Sequence, residues 1–233
     1  MSIIGIIGAM DEEIEMLKEV MEIKETKEIA NMKFYIGALE SKQVILVRCG
    51  IGKVNAAICT QVLVGQLGAT SVINTGVAGA IHDDLEVLDV VISSDVQQHD
   101  FDVTGFGYPI GEIPRMDTSI FPADEKLAQL ALEGAKEALE NQKALMGRIV
   151  SGDIFVSSSD LKEKIWESFG GFCTEMEGAA IGHACYVNGV PFVIIRAMSD
   201  KADGSAHDNF NEFMHQAAIH SKEIVKYILR RLN

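Results

Sequence analysis

The sequence predicts an α/β fold: residues 1–233 read as one three-layer α/β/α sandwich around a mixed, mainly parallel central sheet. Three observations predict it. Short apolar runs alternate with helix-period segments along the whole chain. Several of those runs are apolar without interruption, as expected of strands covered on both faces. No linker, repeat or low-complexity tract divides them, so they belong to one layered unit.

Taken in order, residues 2–8 (SIIGIIG) form a buried first strand closed by glycine. A helix follows from residues 9–13 (AMDEE), with acids in its first turn and Ile14, Leu17, Val20 and Met21 at helical spacing. Residues 34–39 and 43–49 read as strands joined by a polar turn at Glu40, Ser41 and Lys42. The turn GIGK at 50–53 opens a helix over 54–67. Its glycines allow backbone amides to approach an anion, but it is neither a P-loop nor a GxGxxG. Residues 71–75 are a core strand ending in the small-residue turn GVAG, which suits either tight packing or room for a ligand.

Residues 87–96 form a further strand, and 101–122 lose periodicity while carrying aromatics, prolines and glycines, the pattern of a lid or an interface. An amphipathic helix over 123–140 presents Leu127, Leu130, Ala131, Ala135 and Ala138 on one face. A strand over 144–150, a short helix over 159–168 and a short strand over 172–174 come next. A small-residue helix over 178–186 leads to an apolar strand over 192–195 that ends abruptly in RAMSD. The last helix starts near Asp208 or Asn209, with Glu212 completing a capping box on Asn209.

Composition narrows the function classes. With 48% hydrophobic and 23% charged residues in 233, the chain is globular. At that size it buries roughly 70% of its unfolded surface and needs no covalent staples. A net charge of −14 argues against nucleic acid and anionic membranes as partners. No apolar run has bilayer length, and Met1 leads directly into a strand pattern, so no membrane partner is expected. The four cysteines show no CxxC or zinc spacing and read as reduced, buried thiols of a cytoplasmic protein.

Open α/β sheets bind ligands at the carboxyl ends of their strands. This sequence places Glu13, Ile51, Gly76, Phe155, Met176, Glu177, Arg196 and Asp200 there. An acid and a base closing a core strand require pairing or use. Either an Arg196–Asp200 ion pair plugs the strand end, with Glu175 and Glu177 as an ordinary acidic helix start, or these groups form a site. No HExxH is present and His215 and His220 lie five apart, so neither a metal nor a cofactor is expected. The serines near Asp153 lack a GxSxG elbow. Several carboxylates with one arginine and an aromatic suit cleavage of a glycosidic bond, which passes through an oxocarbenium-like sugar. Phe155 suits either stacking on a flat leaving group or burial in the core.

Seven segments then occur in order: GIIGAMDEEI at 5–14, GIGKVNAA at 50–57, INTGVAG at 73–79, HDFDVTGFGY at 99–108, SGDIF at 151–155, EMEGAA at 175–180 and PFVIIRAMSDKAD at 191–203. Together they resemble the 5′-methylthioadenosine/S-adenosylhomocysteine nucleosidases of the nucleoside-phosphorylase superfamily, over nearly the whole chain. The resemblance implies hydrolysis of the N-glycosidic bond in both nucleosides, in methionine salvage and methyl-cycle recycling, by a homodimer. It implies that Asp200 serves N7 of adenine and that Glu13, helped by Arg196, activates water. Backbone at Ile154 and Val156 would read the adenine edge, Phe155 would stack on its face, and Glu177 with Met176 would hold the ribose hydroxyls. Val77, Ala78, Gly79, Glu175 and Ser199 join the substrate-binding set. Ile51, Val103, Phe106, Tyr108, Pro114 and Phe210 would line the alkylthio side, some of them from the neighbouring subunit. Two departures stand out: relatives commonly carry Ser at the position of Val77, and the loop 115–121 differs from the usual small-residue loop. The rival readings are a purine nucleoside phosphorylase, an aminofutalosine-type nucleosidase, and an inactive binding protein on the same scaffold.

Overall fold

The computed structural model describes residues 2–202 and 210–232, with side chains in the last helix described from Phe213 onward. Strand β1 (Ile3–Gly8) lies at the centre, and Ile4, Ile6 and Ile7 are buried because both faces are covered. Helix α1 (Asp11–Val20) follows, then a meander of β2 (Glu22–Ile29), β3 (Met32–Leu39) and β4 (Lys42–Arg48), and helix α2 (Lys53–Gly65). Next come β5 (Ser71–Ala80), β6 (Val90–Gln98), a single 3₁₀ turn at Thr104–Phe106, β7 (Ile120–Pro122) and α3 (Glu125–Ala138). The chain ends with β8 (Ala144–Ser151), α4 (Ser159–Phe169), β9 (Cys173–Glu175), α5 (Gly178–Asn188), β10 (Phe192–Asp200) and α6 (Phe210–Arg231).

All the strands join one mixed sheet. It runs parallel across β4, β1, β5 and β10 and across β6, β8 and β9, and antiparallel at the remaining pairings. Because β10 pairs with both β5 and β6, while β9 joins β5 to β8, five strands close on themselves at one end. The sheet then continues outward through β1, β4 and β3 to β2. One apolar cluster holds Ile7, Phe34, Val47, Cys59, Leu63 and Ile181 under α2 and α5. A second, on the other face, holds Ile6, Leu17, Ile73, Ala131, Ile195 and Ile228 under α1, α3 and α6. These clusters make the three layers, and all four cysteines are free and buried.

Four expectations change. The strand read over 71–75 runs on through Gly76–Gly79 to Ala80, so those small residues are strand and not turn. Likewise β10 does not stop at Ile195 but continues buried through Arg196 to Asp200, because β5 pairs with it to the end, with a register shift at Met198 and Asp200. Strand β2 has no counterpart in the sequence reading: seven of its eight residues are exposed, and it is ordered by pairing with β3. The segment 101–122 is not structureless at its end, where β7 pairs with β6 and buries Phe121 against the His183 ring. The capping box expected on Asn209 lies outside the described residues.

Candidate active site

A cavity of about 480 Å³ opens where β5 and β10 meet the starts of α1 and α5 and the turn before α2. It gathers Glu13, Ile51, Val77, Ala78, Gly79, Phe155, Glu175, Met176, Glu177, Arg196, Ser199 and Asp200. These residues come from six separate stretches of chain, at the ends of strands, the starts of helices and, for Phe155, the loop between β8 and α4.

Glu13 stands at one end. Asp11 and Glu12 are exposed, as ordinary first-turn acids are, but Glu13 is buried. Its Oε2 accepts hydrogen bonds from Ala9 N (2.5 Å) and Met10 N (3.1 Å), and its Oε1 accepts from Val77 N (3.2 Å). Burial raises its pKa above the ordinary glutamate value, against the opposing pull of Arg196 and those three amides. Gly76 makes room for this arrangement: a Cβ there would lie inside van der Waals contact of both the Arg196 guanidinium and the Glu13 carboxylate.

Asp200 stands at the other end, opposite Gly79 in the β5–β10 register. Its Oδ1 accepts from Ala202 N (2.7 Å) and its Oδ2 from Ser199 Oγ (2.8 Å). Ala78 O is a second acceptor for that hydroxyl at 3.3 Å. Between Gly76 and Gly79, β5 supplies a floor of small residues about 10 Å long, at roughly 3.3 Å per residue.

The arginine is not paired with Asp200. Its Nη2 is bonded to the Glu175 carboxylate, lies 3.5 Å from Glu177 Oε2 and donates to Asn74 Oδ1 at 2.6 Å. The ion-pair plug is thus replaced by a link to the helix start. Burial disfavours the Arg196 cation, but Glu175, Glu177 and Glu13 together hold its pKa above the ordinary value. Glu175 is saturated: besides Arg196 it accepts from Ser151 Oγ, Glu177 N (3.1 Å) and Gly178 N (2.8 Å). It therefore caps α5 and holds the arginine, leaving Glu177 as the carboxylate with capacity to spare. Glu177 Oε1 accepts from Gly52 N at 2.9 Å.

Burial, and then the Glu175 charge, push Glu177 up to about 7, against Arg196 and the Gly52 amide. The folded state thus binds more protons than the unfolded chain between about pH 4.5 and pH 7. Stability from this group is accordingly full at low pH and falls as pH rises through that window, by about 3 kcal/mol in all. Glu177→Gln, neutral throughout, should raise the melting temperature at pH 8 and change it little at pH 4.5. Calorimetry at the two pH values checks this, and an equal effect at both would refute it.

Not every expected residue reaches the cavity. Ile154 is half exposed and Val156 is buried in a small cluster with Ile165 and Phe169; they flank Phe155 without lining the space. Val103, Phe106, Tyr108 and Pro114 do not line their own chain's cavity, and Phe106 is 86% exposed. The Phe210 side chain lies outside the described residues. Sequence reasoning missed Ala9, Met10 and Thr174, which line the cavity, and Asn74 and Ser151, which hold Arg196 and Glu175. A polar Asn inside the apolar run INTG was the one legible signal for Asn74. Among the described residues no cluster of His, Cys, Asp or Glu is placed to hold a metal, and no helix is long and apolar enough to cross a membrane.

Comparison with known proteins gives a consistent result. The model of the phosphorylase superfamily matches residues 3–230. A 5′-methylthioadenosine/S-adenosylhomocysteine nucleosidase of Halalkalibacterium halodurans is 42% identical over 234 residues, covering 100% of both chains. The crystal structure of the enzyme so named from Neisseria meningitidis, in complex with methylthio-immucillin-A, superposes with a TM-score of 0.93 at 41% identity over 100% of both chains. The futalosine hydrolase of Helicobacter pylori superposes with a TM-score of 0.92 at 33% identity, over 99% of this chain and 98% of that one.

Proposed function

The chain belongs to the phosphorylase superfamily, and we propose that it acts as a nucleosidase. It hydrolyses the N-glycosidic bond of 5′-methylthioadenosine and S-adenosylhomocysteine, releasing adenine with methylthioribose or S-ribosylhomocysteine. The full-length likeness to enzymes of that name supports the substrate class. The observation that carries hydrolysis over phosphorolysis is the state of the α2 start. The Gly52 and Lys53 amides, which would face an anion, already donate to Glu177 Oε1 and Asp153 Oδ1. With Glu13 and Glu175 also near the one arginine, a phosphate dianion would meet carboxylates and a cation already engaged.

In this reading the nucleoside lies along the β5 floor. Adenine sits toward Asp200 with Phe155 over its face, and Glu177 takes the ribose hydroxyls. As the C1′–N9 bond breaks, its electron pair moves into the purine and Asp200 supplies or shares a proton at N7. A water attacks C1′ from the Glu13 side and gives its proton to that carboxylate. Arg196, held by Glu175, steadies the carboxylates around the water.

Adenine release should be the same with and without phosphate, and the sugar product should be free. A rate that rises with phosphate, or a sugar 1-phosphate, would establish the phosphorylase instead. Because of the Helicobacter pylori likeness, an aminofutalosine-type nucleoside is the second substrate to assay.

We also propose a homodimer, with the segment carrying Val103, Phe106, Tyr108 and Pro114 completing the alkylthio side of a second copy's cavity. Phe106 is nearly fully exposed and Tyr108 is exposed as well, apolar surface that a second copy would cover. Light scattering should find a dimer; a monomer of full activity would refute it. Methionine salvage in the cytoplasm is the proposed setting, checked by whether cells lacking the protein accumulate both nucleosides.

A further inference from the structure

We propose that Asp100 is a positioning residue for this site. With Lys53 and Asp153 it closes a ring of hydrogen bonds that fixes the turn before α2 against the loop carrying Phe155. The ring itself stands on geometry; its effect on turnover rests on the reading of the cavity as a nucleoside site.

Asp100 follows the end of β6 and uses both oxygens. Oδ1 accepts from Lys53 Nζ at 2.5 Å and Oδ2 accepts from Asp153 N at 2.9 Å. Asp153 Oδ1 in turn accepts from Lys53 N at 2.8 Å, so the ring starts and ends on Lys53. The ammonium also donates to Gln98 Oε1 at 3.0 Å, which ties the ring to the last residue of β6. Side chains of Lys53 and Asp100 keep only 17% and 13% exposure, so solvent and salt screen this pair far less than a surface pair.

Two of its members stand two residues from a residue of the cavity. Ile51, two residues before Lys53, lines it, and the intervening Gly52 donates its amide to Glu177. Phe155, two residues after Asp153, lines it from the other side. Gly52 has φ +97°, and a Cβ there would lie 3.1 Å from Asp153 Oδ1, so the turn is pressed directly on the ring. A lysine at the first residue of α2 is also at the wrong end for the helix dipole. Stability of the helix does not explain it; a tether does. Loss of the ring frees Ile51, the Gly52 amide and Phe155 to move relative to one another, and errors of about 1 Å in such groups cost up to roughly 10²-fold.

The test uses the full chain with Asp100→Ala, Asp100→Asn, Lys53→Met and Lys53→Arg. Three quantities are measured: KM and kcat for 5′-methylthioadenosine, the melting temperature, and amide hydrogen exchange over residues 50–54 and 152–156 without substrate. Asp100→Ala and Lys53→Met should raise KM about 10–100-fold with a smaller change in kcat. Exchange should accelerate in both segments, and Lys53→Arg should restore most of both effects. Unchanged exchange with KM within about twofold of the parent overturns the proposal, as does a fall in melting temperature and kcat with KM untouched. If Asp100→Ala does not fold, Asp100→Asn and Lys53→Met decide the matter. A parent protein that releases no adenine refutes the nucleosidase reading, whereas the exchange measurement still judges the ring.

Discussion

Glu13→Gln is expected to lower kcat for adenine release by about 10²–10⁴-fold while leaving the protein folded and able to bind adenine. The carboxylate is buried, fixed by the Ala9, Met10 and Val77 amides, and raised in pKa by that burial. Raising the pKa of a carboxylate makes it a stronger proton acceptor, which is what a water attacking an oxocarbenium-like sugar needs. Glutamine keeps the shape and one carbonyl oxygen for the Ala9 and Met10 amides. It sacrifices the acceptor facing Val77 N and cannot take a proton. Asp11 and Glu12 supply the contrast: exposed in the same helical turn, they serve as controls whose amide variants should be nearly silent. Steady-state rates with calorimetric adenine titration measure the effect. Turnover of the folded Gln variant within tenfold of the parent would remove Glu13 from the mechanism.

Asp200→Asn should cost about 10²–10⁴ in kcat as well, roughly 3–5 kcal/mol of barrier, for a different reason. Asparagine can keep the bond from Ala202 N, and its amide can donate to Ser199 Oγ if that hydroxyl turns to Ala78 O. The fold is therefore preserved and the proton is lost. The discriminating substrate is a riboside whose leaving group is a nitrophenolate, which departs without protonation. On it the Asn variant should approach the parent rate, whereas Glu13→Gln should remain impaired. A uniform defect on both substrates would mean that Asp200 holds the site open instead of serving the leaving group.

Much of this was legible in the sequence because apolar runs and small residues carry their own geometry. The apolar runs mark β1, β4, β5 and β10, and the residues after β1 and at the end of β10 point to Glu13, Arg196 and Asp200, as the EME start of α5 points to Glu177. Strand β2 was invisible since EIKETKEI has no buried face; only its partner β3 makes it extended. The ends of β5 and β10 are hidden from the sequence for a related reason. Gly76–Gly79 and RAMSD look like strand breakers alone, yet each tolerates the other as a pairing partner. Within the site, Glu175 and Glu177 are two residues apart and chemically identical, and no sequence rule says which is saturated. That division is made by Ser151, Arg196 and the α5 amides. Lys53, Asp100 and Asp153 meet across 47 to 100 residues of chain, a distance over which local pattern says nothing.

The way the sheet ends has a consequence for how the protein behaves in a crowded solution. An exposed strand rim is a template on which another chain can add and start a fibril. Here one side curls closed through β10, β6, β8, β9 and β5 and offers no such rim. What remains is short or armed. β7 is three residues long and ends in Pro122, and β2 carries Lys24 and Lys27 among glutamates, with a bulge between Ile23 and Glu25. Each device discourages backbone pairing between copies, and the charge of −14 adds repulsion at longer range. Self-association is thereby steered away from strand addition and toward contacts between side chains, the kind that can be specific and stop at two.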